Sequence, residues 1–206
     1  MRVTRSKRWF SKAGYFTAKR ELLSYLLHSS FDSLTLLWMQ NDVITLARKL
    51  GEQLLAHNYT VTSAESCTGG GLMQAITAIA GSSSWFNSGI VTYSNQAKRD
   101  LLGVDSACLE TYGAVSPEVV EQMAFGALKL AHANLAVAIS GVAGPDGGTV
   151  DKPVGTVCFA WVHSDGRLKT ATELFQGNRA EVREQAVQRA LVGLIALIEV
   201  EGTITV

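Results

Sequence analysis

Residues 61–64 read as a short strand and 135–139 as a fully apolar one, and each gives way to a glycine-rich segment, Thr68-Gly69-Gly70-Gly71 after the first and 141–148 after the second. The run Leu135-Ala136-Val137-Ala138-Ile139 has no polar alternate. Both of its faces must therefore be buried, as in a strand inside a parallel sheet covered by helices on either side. The intervening pattern supplies those helices. Asn41 or Asp42 can cap a helix through Val43, Leu46, Leu50, Leu54 and Leu55, which share one apolar face. Residues 72–80 resume a helical pattern, and 96–102 make a short helix that stops at Gly103. Ser116-Pro117-Glu118 opens another through Val119, Val120, Met123, Ala127, Leu128 and Leu130, with Ser at the cap and Pro at the first helical position. Residues 89–93 are a further β-rich run. Residues 155–163 and 167–175 flank Asp165-Gly166, a strong hairpin signal, and are expected to be antiparallel neighbours. A helix from Arg179 closes the chain, with Val182, Ala186, Val187, Ala190, Leu191, Leu194 and Ile198 on one face. The expected fold is α/β, a three-layer α/β/α sandwich with a mixed, mostly parallel sheet.

Composition narrows the partners. At 206 residues and 47% hydrophobic, the chain can bury a sizeable core as one compact domain. No run approaches the roughly 18 apolar residues of a membrane span. Eighteen Lys plus Arg balance eighteen Asp plus Glu, so no overall field favours nucleic acid or an anionic membrane, and a small molecule is the expected partner. Cys67, Cys108 and Cys158 show no C-x-x-C spacing, which fits a reducing, cytoplasmic setting. His28, His57, His132 and His163 are scattered, so neither a metal nor a cofactor is expected. Residues 1–38 carry seven Lys or Arg against Glu21 and Asp32, a formal +5 that leaves −5 for the rest. They read as a basic extension, disordered or lying ahead of a true start at Met39, with 39–206 as the folded domain; a transit-like peptide is the other reading. The apolar last helix leaves room for a homodimer contact.

In such sheets ligands sit beyond the carboxyl ends of the strands, and three turns belong there: 65–71, 93–98 and 141–148. The first puts a hydroxyl, Ser66, and unhindered amides at a helix N-terminus, suited to a phosphate or an oxyanion; alternatively Ser66 or Thr68 only caps the helix. The second, Tyr93-Ser94-Asn95-Gln96-Ala97-Lys98, sets Lys98 in a first helical turn, where the positive end of the helix dipole should lower its pKa. A neutral Lys98 can take the proton of Ser66, the Ser-Lys form of nucleophilic catalysis, with Tyr93 relaying or orienting that proton. Alone, Lys98 reads as a solvated surface lysine and Tyr93 as a rim aromatic; the combination with Ser66 lifts both. The third turn contains Gly144, Gly147 and Gly148 and allows close backbone approach to a ligand, while Asp146 reads as turn rather than magnesium ligand. Arg179 could meet a phosphate at the start of the last helix, or stand exposed behind an Asn178 cap. Cys67 is a rival nucleophile without a neighbouring His to support it.

Ala64-Glu65-Ser66-Cys67-Thr68-Gly69-Gly70, Gly81-Ser82-Ser83 with Trp85-Phe86, Val91-Thr92-Tyr93-Ser94-Asn95 with Lys98, Gly113-Ala114-Val115-Ser116, 139–148 and Lys152-Pro153-Val154-Gly155-Thr156-Val157 together resemble the carboxy-terminal domain family of CinA, in its stand-alone nicotinamide-nucleotide amidase form. The resemblance runs from about Asp42 to the last helix and does not reach the basic extension. It implies hydrolysis of nicotinamide mononucleotide (NMN) to nicotinate mononucleotide and ammonia in pyridine-nucleotide salvage, without metal or cofactor. By matching position it implies Ser66 as nucleophile, Lys98 as general base and Tyr93 beside them. Amides near Thr68, Gly69 and Gly70 would then hold the oxyanion, while the loop of Gly144, Gly147 and Gly148 with Arg179 positions the ribose phosphate. A non-catalytic nucleotide-binding or regulatory module is the alternative.

Overall fold

The computed structural model describes residues 42–199; the basic extension and Met39 lie outside them. Helix α1, Val43–His57, starts where the Asp42 carboxylate accepts the Thr45 amide and ends at Asn58 in the left-handed region. Strand β1, Val61–Glu65, leads through the glycine turn into α2, Gly71–Thr77. After a 3-10 turn at Ser82–Ser84 comes β2, Ile90–Val91, and then α3, Asn95–Leu102, capped by Ser94. Helices α4, Ser106–Tyr112, and α5, Pro117–Ala131, precede β3, Leu135–Gly141. Strands β4, Thr156–His163, and β5, Leu168–Leu174, form the hairpin, and α6, Arg179–Glu199, completes the described chain.

The sheet order is β2-β1-β3-β4-β5. β1 lies parallel to both β2 and β3, while β4 is antiparallel to β3 and β5. The sheet is thus mixed, and β4 alone runs against the common direction. Alternation along the central strands separates two cores. Leu135, Val137 and Ile139 of β3, with Val157, Phe159 and Trp161 of β4, pack against α1, α2 and α6. Burying aromatics such as Phe159 and Trp161 stabilises the fold by roughly 1.5–3 kcal/mol each, and the Trp161 indole N–H is satisfied by the Ala190 carbonyl at 2.9 Å.

The opposite face presents Ala136, Ala138, Cys158 and Ala160 to α5. These small side chains let α5 lie close to the sheet. α5 in turn crosses the end of α3 at Gly126, where an added Cβ would stand 2.1 Å from the Leu102 carbonyl oxygen. No side chain fits there, so Gly126 fixes the distance between α5 and the helix that carries Lys98.

Four expectations change. The β run at 89–93 shortens to Ile90–Val91, because Ser94 is already committed to capping α3. α2 ends at Thr77 rather than at residue 80. Residues 106–112, unassigned from sequence, form α4, capped by the Asp105 carboxylate accepting the Ala107 amide at 3.0 Å. Leu55 and Leu130, assigned to apolar helix faces, are exposed.

Candidate active site

Because β1, β2 and β3 run parallel, their carboxyl ends open on one edge of the sheet, and the three expected turns meet there. Ser66 directly follows β1, and its amide donates to the Ile139 carbonyl at 2.9 Å. The Thr92 amide donates to the Glu65 carbonyl at 2.8 Å, which ties the segment after β2 to the same edge. From there Ser94 starts α3 with its side-chain oxygen accepting the Ala97 amide at 3.0 Å, and the next residue, Lys98, turns inward.

Lys98 is 1% exposed. Its Nζ donates to Ser66 Oγ at 3.1 Å and to the Thr92 carbonyl at 2.8 Å, and Ser66 is itself buried. Two residues 32 positions apart thus meet within hydrogen-bonding range. Burial holds the Lys98 pKa below its ordinary value of 10.5, because the charged ammonium loses hydration that two neutral oxygens do not replace. The expected direction stands, with desolvation as its largest cause. The rival Cys67 thiol is pushed up to about 12 by burial, so it is protonated near neutrality and a poor nucleophile.

Glu65 was missed from sequence, and it reorganises the glycine turn. Its carboxylate is fully buried and accepts the amides of Gly70 at 2.9 Å, Leu72 at 3.2 Å and Met73 at 2.9 Å. The Gly69 amide donates to the Ser66 carbonyl at 3.0 Å and the Gly71 amide to the Thr68 carbonyl at 3.1 Å. Gly69 and Gly70 adopt φ of +58° and +93°, left-handed values that favour glycine, and so let the turn fold back onto Glu65. This corrects the expectation that amides at Gly69 and Gly70 receive an oxyanion or phosphate: they are committed, and a second anion would face the Glu65 carboxylate. Among the described residues, no backbone carbonyl meets the amides of Cys67 and Thr68, which lie against the Cys67 sulfur. A donor on the residue after the serine is where a strand-to-helix nucleophile turn holds its oxyanion.

Tyr93 and Arg179 form a second group. Tyr93 is 63% exposed, and its hydroxyl accepts from Arg179 Nη2 at 2.9 Å. No hydrogen bond joins it to Ser66 or Lys98 among the described residues, so it stands at the rim, held by Arg179. Arg179 also donates through Nη1 to the Gly144 carbonyl at 2.8 Å, so it clips the third turn to the rim. Asn178 caps α6, its side-chain oxygen accepting the Ala180 amide at 2.9 Å. Cβ atoms added at Gly144 and Gly148 would stand 2.5 Å from a Val154 methyl and 2.8 Å from the Val154 nitrogen, so both glycines serve the loop's own packing. Gly147 lies exposed at φ +89°, beside Asp146 in the turn. One helical turn beyond Arg179, Arg183 Nη2 donates to the Thr68 carbonyl at 2.7 Å and braces the nucleophile turn from behind, another residue the sequence reading overlooked.

The chain matches the family model of the CinA C-terminal domain over residues 43–198. It is 56% identical over 141 residues to the nicotinamide-nucleotide amidohydrolase PncC of Enterobacter agglomerans, covering 68% of this chain and 86% of that protein. It is 52% identical over 151 residues to PncC of Escherichia coli K12, covering 73% and 92%. Among solved structures, the competence/damage inducible protein CihA from Agrobacterium tumefaciens superimposes with a TM-score of 0.74 at 45% identity, covering 76% of this chain and 96% of that one.

Proposed function

This chain belongs to the family of CinA C-terminal domains, and on that premise we propose that it is a nicotinamide-nucleotide amidohydrolase working through Ser66 and Lys98. The substrate is NMN and the products are nicotinate mononucleotide and ammonia, returned to pyridine-nucleotide salvage in the cytoplasm. The names of the similar amidohydrolases support the substrate. The observation that carries the mechanism is the 3.1 Å approach of Lys98 Nζ to Ser66 Oγ at a buried, pKa-lowered amine.

In the neutral state one Lys98 N–H remains on the Thr92 carbonyl, and the lone pair faces Ser66. Ser66 Oγ attacks the carboxamide carbon as its proton passes to Lys98, and the resulting oxyanion sits on the Cys67 and Thr68 amides. Collapse breaks the carbon–nitrogen bond, Lys98 returns the proton to the leaving nitrogen, and ammonia departs from a nicotinoyl ester of Ser66. Water then attacks that ester, its proton moving through Lys98 to Ser66 Oγ. Arg179 keeps further N–H donors for the ribose phosphate beyond those given to Tyr93 and Gly144.

The test is ammonia release from NMN by the purified chain with chelator present. Ser66→Ala is expected to abolish release, and Cys67→Ala to retain most of it. The reverse pattern would overturn the assignment, and NMN binding without turnover in the unaltered chain would favour a binding module.

A further inference from the structure

β5 ends the sheet, with one side paired to β4 and the other open among the described residues. Its sequence, Leu168-Lys169-Thr170-Ala171-Thr172-Glu173-Leu174, is complementary to itself when reversed: Leu meets Leu, Lys meets Glu and Thr meets Thr, around a central Ala171. We propose that the free edge of β5 pairs antiparallel with β5 of a second copy of this chain, about a twofold axis at Ala171, to extend the sheet through a symmetric dimer.

The backbone has the right phase. The Phe175 amide donates to the Gly155 carbonyl and the His163 amide to the Arg167 carbonyl. In an antiparallel ladder this alternation turns the peptide groups of Lys169, Ala171 and Glu173 towards β4, and those of Leu168, Thr170, Thr172 and Leu174 outwards. In the dimer Thr170 exchanges hydrogen bonds with the partner's Thr172, and Leu168 with the partner's Leu174. Lys169, Ala171 and Glu173 occupy the intervening positions, where opposed side chains come closest. Ala171 meets its own copy there, small enough for close approach.

The charges fit the same axis. A lysine on an edge strand ordinarily blocks pairing with another strand. Here each Lys169, exposed and without an acceptor among the described residues, lies opposite the partner's Glu173, and the twofold makes the pair twice. Glu173 is already held by Arg189 Nε at 3.0 Å, so its carboxylate is presented in a fixed position. The other side of the strand brings together Leu168 and Leu174, 40% and 56% exposed in the single chain. The apolar side of α6, the place where the sequence suggested a dimer contact, is used up inside the fold.

Sedimentation equilibrium on the full chain tests this through a charge exchange. The unaltered chain is expected to dimerise. Lys169→Glu and Glu173→Lys each place like charges opposite one another twice and should weaken the dimer by about tenfold or more. Mixing the two variants restores both opposite-charge pairs, so a heterodimer of near-normal affinity should form. Thr170→Pro, which removes an outward N–H and leaves the β4 pairing intact, should give a monomer that keeps its melting temperature within a few degrees. A monomeric unaltered chain, a dimer indifferent to these substitutions, or a mixture that fails to recover association would each overturn the proposal.

Discussion

Replacing Glu65 by Gln asks whether the glycine turn is held by one buried carboxylate or could serve an external anion. In the folded chain the two oxygens accept three amides, those of Gly70, Leu72 and Met73. The amide side chain keeps one oxygen for Gly70 and Leu72 and sets an NH2 group against the Met73 N–H, so one bond is lost and two are weakened. A hydrogen bond to a charged group contributes about 1.5–3 kcal/mol, so the substitution should cost roughly 2–4 kcal/mol. For a chain of this size that is a fall of roughly 5–15 °C in Tm. Glu65→Ala strands all three donors, at about 1–3 kcal/mol each, which approaches the whole stability of about 5–15 kcal/mol of an ordinary domain; Gln is therefore the informative variant. The Cys67 and Thr68 amides sit on the same turn, so a small shift should lower kcat by about 10- to 100-fold with KM changed far less. Calorimetry and an ammonia assay read both effects. A Glu65→Gln protein with unchanged Tm and kcat would refute the argument that this carboxylate organises the turn.

Two further perturbations probe the helix that carries the amine. Because burial lowers the Lys98 pKa, the unfolded chain holds a proton that the folded chain releases between the lowered value and 10.5, so stability from this group rises with pH across that window. Lys98→Met should abolish ammonia release, raise Tm near neutral pH and flatten that rise; parallel pH–stability curves for the two proteins would count against a lowered pKa. Gly126→Ala places a methyl group 2.1 Å from the Leu102 carbonyl and must push α3 away from α5. It should lower Tm by several degrees and kcat at least tenfold, whereas full activity would show that α3 is free to move without displacing Lys98.

The fold was legible where neighbours in sequence decide the structure. Asp42 and Ser116 cap the helices they precede, and the apolar run at 135–139 is buried on both faces as its lack of polar alternates required. The strands flanking Gly166 are antiparallel neighbours, as expected. Helix α4 escaped because seven residues carry too little periodicity to stand out. In the site, Ser66 and Lys98 were recognisable as chemical types, but their approach depends on the parallel pairing of β1 with a two-residue β2, a tertiary event. Glu65 left no trace because its partners are backbone amides, which every residue has. For Tyr93, adjacency in sequence says nothing about which way a rim hydroxyl turns, and here it turns to Arg179.

The seclusion of Lys98 limits the exchange of hydrogen in each turnover to the substrate nitrogen and the attacking water. Its nitrogen touches the serine oxygen and a backbone carbonyl and is almost sealed from bulk water, so what it gains from the hydroxyl can leave only with the departing nitrogen or go back the way it came. A buffer that diffuses freely outside has no route to intercept that transfer, and the pace of bond cleavage should be indifferent to buffer concentration at fixed pH.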